Sequence, residues 1–243
     1  MFSFLWHTIF FNPIYNGLVF FIDTIPGGDV GLAIIAITVV VKFILLPLSI
    51  KSVKSQKALK IIEPKLQELK DKYKDDRQAL ATATMDVYKE AGINPFFSIL
   101  LIFIQLPLIL SLYMAVVSGG GVALPDINQA LLYSFVHVPA DVNMLFLGIV
   151  DIAVKSWPLA LLAGVTQYIQ ASLTLPKLEA KKSDENNVDF KADFARSMDL
   201  NMRYVMPLII TFIAHTLSAT VAIYFVVSNL MAIFQEFIVR RHR

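Results

Sequence analysis

The stretch VGLAIIAITVVVKFILLPLSI, residues Val30–Ile50, decides the fold class. It has the length and apolarity of one helical crossing of a bilayer, which takes about 20 such residues. Its only charged residue is Lys42, and it contains no Asp or Glu to neutralise that lysine. A cation at this depth is costly in hydrocarbon, so it is expected to face a wet cavity or the interior of a bundle. At about 1.5 Å per helical residue, Lys42 lies roughly 13 Å inside Lys51, where a basic segment begins. The other long apolar runs hold one acidic residue, Glu236, next to a basic terminus. The group that balances Lys42 is therefore expected to come from a visiting molecule.

Working outward, three more apolar runs appear: Phe96–Val117, Trp157–Leu175 and Tyr204–Val239. Hydrophobic residues make up 56% of the 243-residue chain and charged residues only 16%, against about a quarter in soluble domains, so this is a polytopic membrane protein. The last run is too long for one crossing and suits two joined by a tight turn near His215–Thr220. Asn143–Val154 is apolar but too short to span. Without cysteine the chain has no disulfide, thiolate metal site or cysteine nucleophile.

Charge placement sets the topology. Of 21 Lys and Arg, ten fall in 51–93, six in 174–203 and three in 240–243, while 1–29 and 118–154 hold none. The positive-inside rule puts the three basic segments in the cytoplasm. Both flanks of the last run are basic, so it crosses an even number of times. The expected protein is all-α, with five transmembrane helices, the N-terminus outside and the C-terminus cytoplasmic. Its parts are 1–29, an interfacial helix and turn; 30–50, the first span; 51–93, a cytoplasmic hairpin; and 94–117, the second span. There follow 118–156, an external segment; 157–175, the third span; 176–203, a cytoplasmic loop; 204–239, the fourth and fifth spans; and 240–243, a cytoplasmic tail. Phe4–Ile22 is interrupted by Asn12, Pro13 and Asn16 and has no basic n-region, so it reads as a helix lying in the outer leaflet rather than a signal peptide. The alternative is a sixth span. Asp23–Asp29, with Pro26, Gly27 and Gly28, is the turn into the first span.

Within 51–93, Leu59, Ile62, Leu66, Leu69 and Tyr73 recur at spacings of three and four, as do Leu80, Thr84, Val87 and Ala91. Two such seams predict an antiparallel helical hairpin. Lys74, Asp75 and Asp76 form the turn, with an Asp as N-cap of the returning arm, and Gly92 with Asn94-Pro95 ends it. Pro64 is expected to kink the first arm. The plainer reading is a connecting loop. Mixed charges, ten basic and seven acidic, argue against a nucleic-acid surface.

Each span carries a polar stripe: Thr38, Lys42 and Ser49; Ser98 and Gln105; Thr166, Gln170 and Thr174, with Gln167 beside them; Ser228 and Gln235, with Asn229 beside them. Taken singly such residues are more often glue between helices. Four stripes and a lysine together suggest a shared hydrated cavity. His215 reads as interfacial. No phosphate-cradling glycine loop, metal-ligand spacing or nucleophile–base motif is found.

Four segments then carry a resemblance: GLAIIAITVVVKFILLPLSIKS (31–52), EPKLQELKDKYKDD (63–76), GINPFFSILLIFIQLPLILSLYMAV (92–116) and RYVMPLIITFIAHTLSATVAIYFVVSNLMAIFQ (203–235). In order, they resemble the YidC membrane protein insertases of bacteria, which have mitochondrial and chloroplast relatives. The resemblance covers about residues 28–240 and implies a non-enzymatic insertase and chaperone of the inner membrane that needs no cofactor. It implies a hydrophilic groove, closed outside, that holds the polar tail of an incoming protein while its apolar segment slides into lipid. The groove would be lined by Lys42, Thr38, Gln105, Gln167, Gln170, Phe225 and Ser228. The cytoplasmic hairpin, through Pro64, Lys65 and Tyr73, would recruit substrate. The implied partners are nascent membrane proteins and the lipid bilayer, with the ribosome and the Sec translocon as candidates, and no nucleic acid directly.

The chain departs from the family pattern at several positions. Lys42 stands where arginine is usual, keeping the charge but losing the planar fork of donors. Phe225 replaces a common tryptophan. Ser218-Ala219-Thr220 replaces a Pro-Ala-Gly type turn, leaving that turn less punctuated. The short tail at Arg240–Arg243 suits a minimal bacterial form with weak ribosome binding. The competing reading is a small-anion secondary transporter with Lys42 binding the anion; it lacks the paired repeats such folds usually carry. An intramembrane enzyme ranks lower, because the spans hold no spaced carboxylates, Ser/Lys dyad or His pair.

Overall fold

The computed structural model describes residues 2–92, 94, 96–118, 120–174 and 200–241. The expected loop 176–203 therefore lies almost wholly outside the described residues. The elements in chain order are α1 (Phe2–Leu5), α2 (Asn12–Thr24), α3 (Val30–Lys72), α4 (Arg77–Glu90), α5 (Phe96–Val117), a two-stranded antiparallel ribbon of β1 (Leu145–Phe146) and β2 (Val150–Asp151), α6 (Trp157–Thr174), α7 (Met206–Leu217) and α8 (Ala219–Arg241). Helix predominates, as expected. Among the described residues, Val30–Ser55 and Ala219–Ile238 are long and apolar enough to cross a membrane.

The chain divides into two compact units, Met1–Lys42 with Leu108–Arg243, and Phe43–Pro107. In the larger unit, the polar residues of the N-terminal run do not break the helix. Trp6–Phe11 forms a π turn between α1 and α2, and the N–H of Asn12 bonds the carbonyl of His7, five residues back. Pro13 follows at once; it has no N–H to give and tolerates the first turn of α2. Asn12, Leu5 and Phe11 all keep right-handed helical backbone. The turn into α3 uses Gly27 and Gly28 at φ 77° and 61°, conformations that cost glycine little.

Helices α6, α7 and α8 pack through small residues. Ala160, Ala163, Ala214 and Ala222 are fully buried and form a common core, with Leu159, Ile210, Phe225 and Val226 against it. Gly164 packs directly on the Thr211 hydroxyl, and a Cβ there would stand 3.2 Å from the Pro207 carbonyl. Lipid tails are as apolar as leucine, so close backbone approach takes over the role that apolar burial plays in water. Asn229 adds a polar tie, donating to the Ala163 carbonyl (3.3 Å) and the Thr166 hydroxyl (3.1 Å).

The smaller unit contains the expected hairpin. Asp76 caps α4, its Oδ1 accepting from the N–H groups of Gln78 (3.0 Å) and Ala79 (2.9 Å). Gly92, at φ 64°, follows the helix end. Leu59, Ile62, Leu66, Leu69 and Tyr73 are half-buried, while Pro64, Lys65, Gln67 and Glu68 are exposed, so the periodicity marks a real seam. Val87 is the buried residue of α4. Lys65 pairs with Glu90 at 2.9 Å across the two arms. α3 runs through Pro47 and Pro64 as one helical element.

Candidate functional site

Lys42 and Thr38 sit one helical turn apart on α3, a spacing that puts them on one face. Thr38 is buried, and its hydroxyl donates to the Ile34 carbonyl at 2.6 Å, so its own polarity is met within the helix. The half-buried Lys42 places its Nζ 6.0 Å from the centroid of the Tyr224 ring on α8. At that range an ammonium feels the negative face of an aromatic ring, worth about 0.5–2 kcal/mol according to desolvation. A narrow pocket lies alongside, lined by Ile14, Ile37, Thr38, Val41, Leu108, Leu112 and Tyr224. Four elements thus meet at this point: α2, α3, the second half of α5 and α8.

Lys42 is not without a partner in the protein, as its ammonium lies over the Tyr224 ring, so the premise of an unpaired cation is corrected. The structure brings Lys42, Thr38 and Tyr224 of α8 together. Ser228, buried, lies one turn beyond Tyr224 on α8. Phe225 takes another direction and packs against the alanine core of α6–α8. Gln167 and Gln170 are bonded along their own helix, Gln167 Nε2 to Gln170 Oε1 at 3.4 Å and Gln170 Nε2 to the Thr174 hydroxyl at 3.2 Å. Gln105, Pro64, Lys65 and Tyr73 belong to the smaller unit. Pro64 and Lys65 are exposed there and Tyr73 is half-buried at the end of the seam. Among the described residues no group of His, Asp or Glu is arranged to hold a metal ion.

Tyr224 was missed in the sequence. Its signal is the period of α8: Tyr224, Ser228 and Gln235 stand at i, i+4 and i+11, the spacing also shown by Thr38, Lys42 and Ser49.

A second polar constellation seals one end of the larger unit, and it also escaped the sequence. Asn16, 2% exposed, donates from Nδ2 to the carbonyls of Asn12 and Leu131, both at 2.9 Å, and accepts from the Tyr133 N–H at 2.6 Å. The Tyr15 hydroxyl accepts from the Asn128 N–H at 2.8 Å. Asp29 accepts from Leu32 N–H at 3.0 Å and from Leu147 N–H at 2.8 Å. The carbonyl of Ile152 accepts from both the N–H and the hydroxyl of Thr220, at 3.1 and 3.0 Å. Segment 118–156 is therefore a fastened cap. It ties together α2, the start of α3 and the α7–α8 turn. Ser218-Ala219-Thr220, lacking proline and glycine, is held by this cap, with Ala219 N–H also donating to the Val154 carbonyl at 2.8 Å.

A family model described as 60Kd inner membrane protein matches residues 21–243. The chain belongs to this family. A protein of Clostridium tetani named Membrane protein insertase YidC is 33% identical over 95% of this chain and 90% of its own length. Relatives of the same name from Fusobacterium nucleatum and Oceanobacillus iheyensis are 28% and 30% identical, over 95% and 98% of this chain and 97% and 84% of theirs. The resemblance found in the four sequence segments is thus borne out. As a 60Kd inner membrane family member, the chain carries spanning helices consistent with that description.

Proposed function

We propose that this chain is a membrane protein insertase and chaperone, with Lys42 as the transient docking point for the polar N-terminal tail of an incoming protein. The carrying observation is the placement of the Lys42 ammonium inside an apolar span, beside Thr38 and over the ring of Tyr224. A cation–π contact is weak enough to yield to a carboxylate, whose attraction to the ammonium grows as the local dielectric falls. Tyr224 then serves as one resting contact that Lys42 leaves when an acidic tail arrives. A polar tail would enter a groove formed by Lys42, Thr38, Gln167, Gln170 and Ser228 from the cytoplasmic side, and the fastened cap would keep the groove closed outside. Release of the apolar segment into lipid is driven by burial of apolar area, about 25 cal/mol per Å². Phe225 supports this site by packing the helices that frame it.

In this reading five spans cross the plasma membrane with the N-terminus outside and the C-terminus cytoplasmic. The hairpin of α4 and the end of α3 would meet clients at Pro64, Lys65 and Tyr73, in company with the ribosome or the Sec translocon. Chemistry on bonds plays no part. The anion-transporter alternative finds no support among the relatives.

The test is synthesis of a single-span protein with an acidic N-terminal tail in the presence of Lys42→Gln, Lys42→Arg and Tyr224→Leu variants, with photo-crosslinkers at Thr38 and Gln105. Crosslinks are expected only while the tail crosses, with insertion lowered by Lys42→Gln and kept by Lys42→Arg. Wild-type insertion of acidic-tailed clients by Lys42→Gln would refute the docking role.

A further inference from the structure

The short apolar run Asn143–Val154 does not span and is not used by the groove. It forms the β1–β2 ribbon, and residues 142–150 between Asp141 and Asp151 contain no charge. At its tip the Ile149 N–H bonds the Phe146 carbonyl at 3.0 Å, and the two central residues, Leu147 and Gly148, have φ of 52° and 73°. Two positive φ values define a turn whose first central position strongly favours Asn, Asp or Gly. Leucine there accepts a backbone conformation that L residues other than Asn and Asp rarely adopt. It is also 61% exposed, with Leu145 at 45% and Ile149 at 81%. Among the described residues, neither turn geometry nor packing accounts for these exposed aliphatic side chains.

Their position supplies the missing partner. The ribbon is fixed at the N-terminal end of the first apolar span, which is the outer end in the topology proposed above: Val30 N–H donates to the Asn143 carbonyl at 3.0 Å, Leu147 N–H donates to Asp29, and the Phe146 ring packs directly on Gly31. Beyond it the chain passes Ile152 and Val154 to Trp157, 58% exposed and stacked on His215 at 3.9 Å, an aromatic residue of the kind enriched at membrane interfaces. The exposed tip thus sits at the N-terminal end of an apolar helix long enough to span, and Leu145, Leu147 and Ile149 carry no charge that would keep it in water.

We propose that the tip Leu147-Gly148-Ile149 inserts into the outer leaflet as a lipid anchor for the cap. The N–H groups of Leu147, Gly148 and Ile149 are met by Asp29 and by the carbonyls of Leu145 and Phe146, and the hydrated interfacial region can serve the tip carbonyls. This anchoring is independent of the insertase reading: it concerns how the cap is held, and its test requires no client.

The chain has no cysteine, so full-length single-cysteine variants can be labelled directly. Ile149→Cys and, as a water-facing reference, Asp126→Cys would carry a nitroxide in vesicles of phosphatidylethanolamine and phosphatidylglycerol. Collision with oxygen, which concentrates in lipid, is compared with collision with a water-soluble nickel chelate. The oxygen-to-chelate ratio at Ile149 is expected to exceed that at Asp126 severalfold. Placing asparagine at the turn, Leu147→Asn, should suit the backbone better yet lower the ratio at Ile149. Chelate access at Ile149 equal to that at Asp126 overturns the anchor. So does shielding from both reagents, with dipolar broadening identifying a second copy as the occupant and its absence identifying contact within the chain.

Discussion

Asn16→Leu removes one side chain of nearly constant volume and three hydrogen bonds at once. The Asn12 carbonyl is inside α2 and retains its helical partner, so the damage falls on the Leu131 carbonyl and the Tyr133 N–H. Each lost hydrogen bond is worth about 0.5–1.5 kcal/mol net, and a group left buried without a partner costs about 1–3 kcal/mol. Tyr133 is 37% exposed, so water can replace part of what is lost and the lower end applies. A local destabilisation of about 2 kcal/mol follows, or roughly thirtyfold in the opening equilibrium. Hydrogen exchange of the protein in lipid nanodiscs reads this directly: the Tyr133 amide should exchange roughly thirtyfold faster. The amides of Asn143 and Ile152, fastened by Gly28 and Met144, should be unchanged. Unaltered exchange across 131–133 would show that Asn16 does not hold the cap. Acceleration spread evenly into α8 would show that it holds the whole fold instead.

Two glycines separate packing from propensity. Gly31→Ala brings a methyl onto the ring of Phe146, whose own Cβ would stand 2.7 Å away, and should cost about 1–3 kcal/mol in a denaturation titration. Gly17→Ala meets only the mobile tip of Ile37 at 2.5 Å and should be neutral or stabilising, as alanine gains about 1 kcal/mol in a helix interior. Equal losses at both sites would contradict this contrast. Asn229→Leu should cost about 1 kcal/mol, because Thr166 keeps its bonds to the Leu162 and Ala163 carbonyls; no change in unfolding midpoint would show the tie to be idle. Lys65→Ala breaks a pair exposed at 56% and 68% and should change stability by no more than about 1 kcal/mol. Reduced client crosslinking in the same variant would assign Lys65 to recruitment, and a large fall in stability would assign it to scaffolding.

What was legible in the sequence was local. Asp76 caps α4 because a short carboxylate reaches N–H groups two and three residues on, and that rule needs no tertiary information. The seam from Leu59 to Tyr73 and the break at Ser218 were readable for the same reason. The cap was not. Asn16 is bonded across 115 and 117 residues and Asp29 across 118, to a segment without helical or strand period. From the sequence, Asn16 looked like an interruption of an apolar helix, whereas it is what that helix uses to hold the cap. Strands of two residues give no alternation to detect, so the ribbon was seen only as an apolar run too short to span. Tyr224 lay on a visible stripe but reads as core among so many aromatics, until the Lys42 ammonium is found over its ring.

The two hydrogen bonds that the Ile152 carbonyl accepts bear on the order of biogenesis. Its partner, Thr220, lies 68 residues later in the chain. The fastenings at Asn16, Asp29 and Asn143 join residues that have all been made once the ribbon emerges, whereas the one at Thr220 must await the final helical pair. A ribosome-stalled chain ending at Leu217 should therefore show its 131–143 region resistant to external protease and its 150–156 region still cleavable. Cleavage resistance of both regions before Thr220 exists would refute this sequence of closure. The enclosure is completed from the C-terminal side, and a nascent molecule of this protein is unsealed until nearly its last helix is in place.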